Sequence, residues 1–338
     1  MPEPSASDPR RRTLVGALVF MFASGLAAMS VIGLAGRWNA WADVANQFAP
    51  IWLVVATFAF SIISLTRFWR YAPAASGLLV FSMVAQMALC GQDWIEGPDR
   101  NVSRAIVGKQ RLFSVLTFNV WNESRDLDLV IRRVVSSGAD VVTLQEALAL
   151  ERIPSKALMA AYPYRYTCED WWGCELLILS KRPILDHHFA APEPTGSGGP
   201  LWAVWVTTTA ADGRPVRVLS THLTWPIPPL HHQDQVDRLA EIMRGLGAGS
   251  LVVTCDCNAS GASFALQKQD LRLEGVVRRT RSIFSWPAII DGTHVPAPFP
   301  FLGIDQLYAS ADWRTIDLQR LPTSGSDHYP ILVKLARD

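Results

Sequence analysis

Apolar and polar positions alternate in two different regimes along this chain. Between positions 13 and 94 the apolar residues form three long runs, Thr13–Gly36, Phe48–Leu65 and Ala74–Gly91, whereas from about Asp99 onward the runs are short and separated by polar turns. A helix needs about 20 apolar residues to cross a bilayer, so the runs predict three spans, the third near the lower limit of about 17 and carrying Gln86. Arg10, Arg11 and Arg12 also fit the charged head of a signal peptide, but the run behind them is long for one and two more follow. Basic loops stay on the cytoplasmic side. Arg10–Arg12 and the pair Arg67 and Arg70 therefore lie inside and the first loop, with Arg37 alone, outside. The expectation is an integral protein of a bacterial inner membrane whose C-terminal domain faces outward, into the periplasm; if the third run only lies on the membrane, the domain is cytoplasmic.

The second regime predicts alternating strands and helices. Arg111–Asn119 reads as a strand, Leu127–Ser137 as a helix stopped by Gly138, and Ala139–Gln145 as a buried strand, a right-handed crossover that brings Asn119 and Glu146 out at one sheet edge. Leu176–Ser180, Trp202–Thr208 and Val216–His222 follow as strands, the last two joined through Ala211-Asp212-Gly213. A helix over Gln233–Leu246 and strands at Ser250–Cys255, Ile304–Ala309 and Ile331–Leu335 complete an α/β sandwich of two β-rich halves with outer helices, its strand pairing left open. The expected layout is a cytoplasmic segment over 1–12, a membrane anchor over 13–94, a linker over 95–109 and a catalytic domain over 110–338.

Four of these apolar runs end on polar groups that a buried strand has no use for unless they face a cleft. The endings are Phe118-Asn119-Val120, Leu144-Gln145-Glu146, Ser220-Thr221-His222-Leu223 and Cys255-Asp256-Cys257-Asn258, and two further polar fragments, Ile304-Asp305-Gln306 and Ser326-Asp327-His328, follow them along the chain. Acids, amides and histidines without a Ser or Cys nucleophile suit a hard cation, Mg²⁺ or Mn²⁺, working on a phosphate. Glu146 is the expected direct ligand, with Asn119 beside it and Asp327 as a further ligand or its support. Asp256 would orient or deprotonate water and Asn258 donate to the phosphate. His328, held in one tautomer by Asp305, would bind or protonate the phosphoryl group, and His222 is the remaining acid or phosphate contact.

Taken in order, these fragments resemble the endonuclease/exonuclease/phosphatase superfamily over about residues 110–337. The resemblance implies a four-layer α/β sandwich of two packed mixed sheets flanked by helices, and metal-dependent hydrolysis of a phosphodiester with the roles just given. The implied partners are a phosphoester substrate, either nucleic acid or a phospholipid or small diester, and the lipid bilayer through residues 13–94; no protein partner is evident. Cys257 and Gln306 depart from the family pattern, and Trp121 stands where some nucleases have a second acid, which weakens a two-metal scheme. The alternative is a membrane-bound receptor or scaffold that binds a phosphorylated ligand without turnover.

Charge adds little. Basic and acidic residues before position 100 cancel, so the remainder carries the formal net charge of +1, with no global footprint for nucleic acid. The cluster Arg272, Arg278, Arg279 and Arg281 reads first as a solvated face and second as a phosphate contact. Cys168 and Cys174 would close a small disulfide loop in an oxidising compartment, while Cys255 and Cys257 point away from Asp256 into the core. His187, His188, His231, His232 and His294 read as solvated or loop residues. Trp171, Trp172, Trp225 and Trp286 fit either a substrate or lipid rim or a buried cap, and the loops Ala191–Pro200, Trp225–Asp234 and Ser282–Gly303 are expected to shape the cleft.

Overall fold

The computed structural model describes residues 9–66, 68–70, 72–95, 112–124, 126–152, 155–168, 174–190, 201–247, 249–290, 293 and 295–337. It divides into two compact units, one ending at Gln92 and including Ala262–Phe264, the other beginning at Asp93.

The first unit holds helices α1 (Pro9–Ala35), the short α2 (Ala40–Asp43), α3 (Ala49–Leu65) and α4 (Pro73–Ile95) up to Gln92, the last turn of α4 from Asp93 belonging to the second. Thr13–Ala35, Ala40–Leu65 and Pro73–Ile95 are each long and apolar enough to cross a membrane. The third is therefore longer than the apolar run suggested. Small side chains let the helices approach: Ala23, Ala56 and Ala75 are fully buried together with Leu79, while Leu14, Phe22, Phe58 and Val84 face outward. Gln86 is not a stray polar group, since its Nε2 donates to Ser30 Oγ at 3.1 Å inside the unit.

The second unit is built on two six-stranded mixed sheets. The first has the order β11 (Trp313–Arg320), β12 (Ile331–Arg337), β1 (Phe113–Asn119), β2 (Val141–Gln145), β4 (Leu177–Ser180), β3 (Tyr164–Thr167). The second runs β5 (Asp186–Ala190), β6 (Ala203–Thr209), β7 (Pro215–His222), β8 (Leu251–Asp256), β10 (Asp305–Ser310), β9 (Val276–Arg278). Each sheet has one parallel pair, β1 with β2 and β7 with β8, and both pairs need a crossover helix. These are α5 (Leu127–Ser137), capped by Asp126 Oδ1 and stopped by left-handed Gly138, and α8 (Pro229–Leu246); α6 (Leu148–Arg152), α7 (Lys156–Ala161) and α9 (Phe264–Arg272) are shorter.

Between the sheets lies one core, including Val115, Ile178, Val206, Val218, Val252, Leu307 and Val333. Outside it, Leu116, Phe118, Val130, Val134 and Leu144 pack α5 onto the first sheet, and Leu219, Val236, Leu239, Val253 and Leu266 pack α8 and α9 onto the second. The result is the expected four-layer sandwich. Strands β3, β5, β9 and β11 had no counterpart in the sequence pattern. All four are sheet edges, where one face meets water and the apolar run that marks a buried strand is lost.

Candidate active site

The registers of the strands bring the polar endings together. In the second sheet His222 on β7 and Asp305 on β10 both sit opposite Asp256 on β8. In the first, Asn119 on β1 sits opposite Gln145 on β2, one residue before Glu146. The chain then turns sharply at these ends. Trp121, Glu146 and Asn258 have φ of 58°, 53° and 48°, left-handed backbone that costs on the order of 1 kcal/mol or more for a residue with a Cβ and clusters at functional sites.

Asn119 links the sheets. Its Nδ2 donates to Glu146 Oε1 and to Asp256 Oδ2, both at 2.8 Å, while its Oδ1 accepts from Trp121 N at 2.9 Å. Asp256 Oδ2 lies 3.6 Å from His222 Nε2 and 3.6 Å from His328 Nε2. The far side of the His328 ring is fixed by Asp305, whose Oδ2 is 2.8 Å from Nδ1. Asn258 reaches back across the cleft, Nδ2 donating to Leu223 O at 2.8 Å and lying 3.3 Å from His222 Nε2. Asp327 Oδ2 accepts from Trp286 Nε1 at 3.1 Å.

Burial pushes the Asp256 carboxyl up, to about 6, against the pull of His328 and His222. Burial alone would depress the His328 imidazole, but Asp305 and Asp256 outweigh it and raise it to about 10, so it is a cation at neutral pH. Asp327 is also raised by its burial, with His328 and the Trp286 N–H opposing.

The donor set fits a hard cation. Asp305 Oδ1 and Asp327 Oδ1 are buried acceptors without a hydrogen-bond partner, a costly arrangement that a ligand or ion would relieve. Asp256, Asp305 and His328 each place a ligand atom within 4.8 Å of the others, a group that could hold a metal ion with the His328 ring neutral; as an imidazolium against Asp305 the ring offers a donor there instead. Glu146 offers a third set of oxygens beside Asn119.

Several residues of the site had no role assigned from the sequence. Asn122 donates from its backbone N to Glu146 Oε2 at 3.0 Å and from Nδ2 to Glu175 Oε2 at 2.5 Å. Ser326 Oγ donates to Asn119 O at 2.7 Å and accepts from His328 N at 3.0 Å, pinning the tail against β1. His232 corrects an expectation: it is buried, not solvated, and its Nε2 holds the Cys257 carbonyl at 2.9 Å, with burial pushing its pKa down.

The arginine cluster is a solvated face only at Arg272, which pairs with Asp237 at the surface. Arg278 is buried between Asp270 and Asp93, Arg281 meets the same two acids, and Arg279 donates to the Trp313 carbonyl. Cys257 and Gln306, the departures from the family pattern, do not line the cleft. Cys257 packs with Cys255 in the outer core, where their sulfurs are in bonding contact, and Gln306 is held by Thr280 and the Gly303 carbonyl. Cys168 and Cys174 pair as a disulfide. Trp286 is half-buried and meets Trp225 edge to face at 5.8 Å, so of the two alternatives for these rings Trp286 caps a carboxylate and Trp225 forms an exposed rim. Trp171, Trp172 and the loop Ala191–Pro200 lie outside the described residues.

A family model described as Endonuclease/Exonuclease/phosphatase family matches residues 116–328. Among solved structures, D. rerio TDP2 complexed with single strand DNA product is 16% identical, with a TM-score of 0.53 over 66% of this chain and 98% of that one. The human Nocturnin catalytic domain with bound sulfate anion (14% identity, TM-score 0.52) covers 68% of this chain and 96% of its own. ANGEL2, a 2′,3′-cyclic phosphatase in complex with adenosine-2′,3′-vanadate, matches with the same figures, 14% identity, TM-score 0.52, 68% and 96%. These likenesses are in fold. No curated protein matches the sequence significantly.

Proposed function

Since the chain belongs to the endonuclease/exonuclease/phosphatase family, we propose that this phosphoester hydrolase is a divalent-metal-dependent phosphodiesterase, tethered to a bilayer by its N-terminal helices. The observation that carries the reading is Asp256 Oδ2, set 3.6 Å from two histidine Nε2 atoms and 2.8 Å from Asn119. In this reading that carboxylate takes the attacking water beside the phosphorus centre.

A raised pKa suits Asp256 to its part: it is ionised at neutral pH yet basic enough to take a proton from the attacking water. His328, cationic and oriented by Asp305, donates from Nε2 to a non-bridging phosphoryl oxygen and so stabilises the charge that builds there. His222 stands on the other side of Asp256, in reach of the leaving oxygen, and Asn258 keeps its ring in place. Glu146 and Asp327 would hold a hard cation, Mg²⁺ or Mn²⁺, with Asn119 positioning Glu146; when bound, the ion supplies charge neutralisation at the phosphate. The structures similar in fold include TDP2 with a single-strand DNA product and a 2′,3′-cyclic phosphatase, which supports phosphoester chemistry on this fold and leaves the substrate to the loops. The Cys168–Cys174 disulfide supports an outward-facing domain in an oxidising compartment.

The test uses the full chain in detergent micelles, stripped of metal with EDTA and assayed on bis(p-nitrophenyl) phosphate. Turnover is expected only after Mg²⁺ or Mn²⁺ is restored, and to fall by roughly 10² or more in Asp256→Asn. Full activity in an Asp256→Asn, His328→Gln double variant would overturn the assignment. Ligand retention without turnover under any of these metals would instead support a receptor or scaffold.

A further inference from the structure

Two segments beside the catalytic cluster carry exposed apolar side chains. The first, the loop before α8 together with that helix's first turn, presents Trp225, Ile227 and Leu230. In the second, Trp286 bridges to Leu302 and Ile289 to Pro296, and Ile290, Val295 and Phe299 stand out, 45%, 56% and 60% exposed. The base of this second segment belongs to the site: Trp286 Nε1 and Ala288 N donate to the side chain and the backbone carbonyl of Asp327, and Trp225 packs on Trp286. A Cβ at Gly303 would overlap the Ile283 carbonyl, so only glycine lets this segment return so closely before Asp305.

Isolated exposed leucines are ordinary, but six exposed apolar residues on two segments joined by the Trp225–Trp286 contact beside Asp327 are not. Charge decides what they meet. Neither 224–231 nor 282–303 contains a Lys or Arg. Arg320 stands at the second segment's base, donating to the Phe284 carbonyl with its guanidinium 4.8 Å from the Tyr329 ring centroid. One cation suits one phosphate, whereas a polynucleotide track needs several. Aliphatic residues with a tryptophan at the border are the composition of a surface that enters a bilayer, and the same chain carries three helices long and apolar enough to cross one.

We propose that the substrate of this site is the headgroup ester of a phospholipid presented at a bilayer, with Ile227, Leu230, Ile290, Val295 and Phe299 lodged among the lipid chains and Trp225 at headgroup depth. The inference rests on the phosphodiesterase reading above. One water is consumed: its oxygen bonds to phosphorus, a phosphorus–oxygen ester bond breaks, and the departing alcohol leaves with a proton.

The full chain in mixed micelles is offered phosphatidylethanolamine, phosphatidylglycerol and phosphatidylcholine, a single-stranded oligodeoxynucleotide, and bis(p-nitrophenyl) phosphate, all with Mg²⁺. At least one phospholipid is expected to turn over faster than the oligonucleotide. The Ile290→Ser, Phe299→Ser double variant is expected to lose roughly tenfold or more of that turnover while its rate on the small diester stays within about twofold. Preference for the oligonucleotide, unchanged lipid turnover in the variant, or equal loss on lipid and small diester each overturns the proposal. An inert wild type on the small diester sinks the phosphodiesterase reading itself, so the two failures are distinguishable.

Discussion

Asn119 Nδ2 and Asp256 Oδ2 are 2.8 Å apart although 137 residues separate them in the chain and they end strands of different sheets. One amide thereby sets both the carboxylate proposed to activate water and, through its second hydrogen, Glu146. The Asn119 hydrogen bond favours the ionised form of Asp256. Asn119→Ala should therefore push the Asp256 carboxyl further above its ordinary range. The acid limb of the pH–rate profile, expected near pH 6 in the parent from the Asp256 carboxyl, should move to higher pH, with activity at neutrality down by roughly 10-fold or more. A profile that keeps its acid limb would separate Asn119 from the ionisation of Asp256.

Asp305 acts on the opposite limb. Removing its charge with Asp305→Asn takes away the largest influence raising His328, so the imidazolium, present up to about pH 10 in the parent, should be lost closer to neutrality. The sign for stability is the same: because the folded pKa lies above the unfolded 6.5, the pair's contribution is complete below about pH 6.5 and lost as pH rises through about 10. Thermal melts of the variant should therefore change less than the parent's between neutral pH and pH 10. Imidazole proton NMR titration reads the shift directly.

Trp286→Phe keeps a ring beside Trp225 but removes the N–H that Asp327 accepts. Burial already raises Asp327, and the lost donor raises it further. The expected outcome is a several-fold higher Mg²⁺ concentration for half-maximal activity with kcat at saturating metal little changed. Metal titrations of the parent and the variant check this, and an unchanged activation constant would leave Asp327 outside the ion's reach.

His232 is a stability group rather than a reactant. His232→Phe leaves the Cys257 carbonyl without that donor inside the outer core, at a cost of about 1–3 kcal/mol. Because burial pushes the folded His232 pKa below 6.5, its contribution is present above that pH and lost as pH falls, when the unfolded chain takes up the proton first. The variant's melting temperature should fall, and its acid sensitivity between pH 7 and 5 should flatten relative to the parent. Equal melting temperatures at neutral pH would remove the role.

Much of this molecule is legible in its sequence because local physics wrote it there. Three apolar runs announce helices long enough for a bilayer, and apolar runs that end on Asn119, Glu146, His222 and Asp256, or that begin at or just after Asp305 and His328, announce buried strands that open on a cleft, since isolated charges are too costly anywhere else on such strands. Strand β1, helix α5 and strand β2 were readable to within about two residues for the same reason.

Tertiary structure alone decided the rest. Edge strands such as Trp313–Arg320 lack a two-sided burial pattern and exist only because β12 offers a partner. Arg278 reads as a surface charge until folding surrounds it with Asp93 and Asp270, and His232 as a loop residue until α8 seats it under Cys257. The bridge from Asn119 to Asp256 and the cap of Trp286 on Asp327 are contacts between distant segments. Their energies depend on where the sheets and loops come to rest, and no periodicity along the chain encodes that.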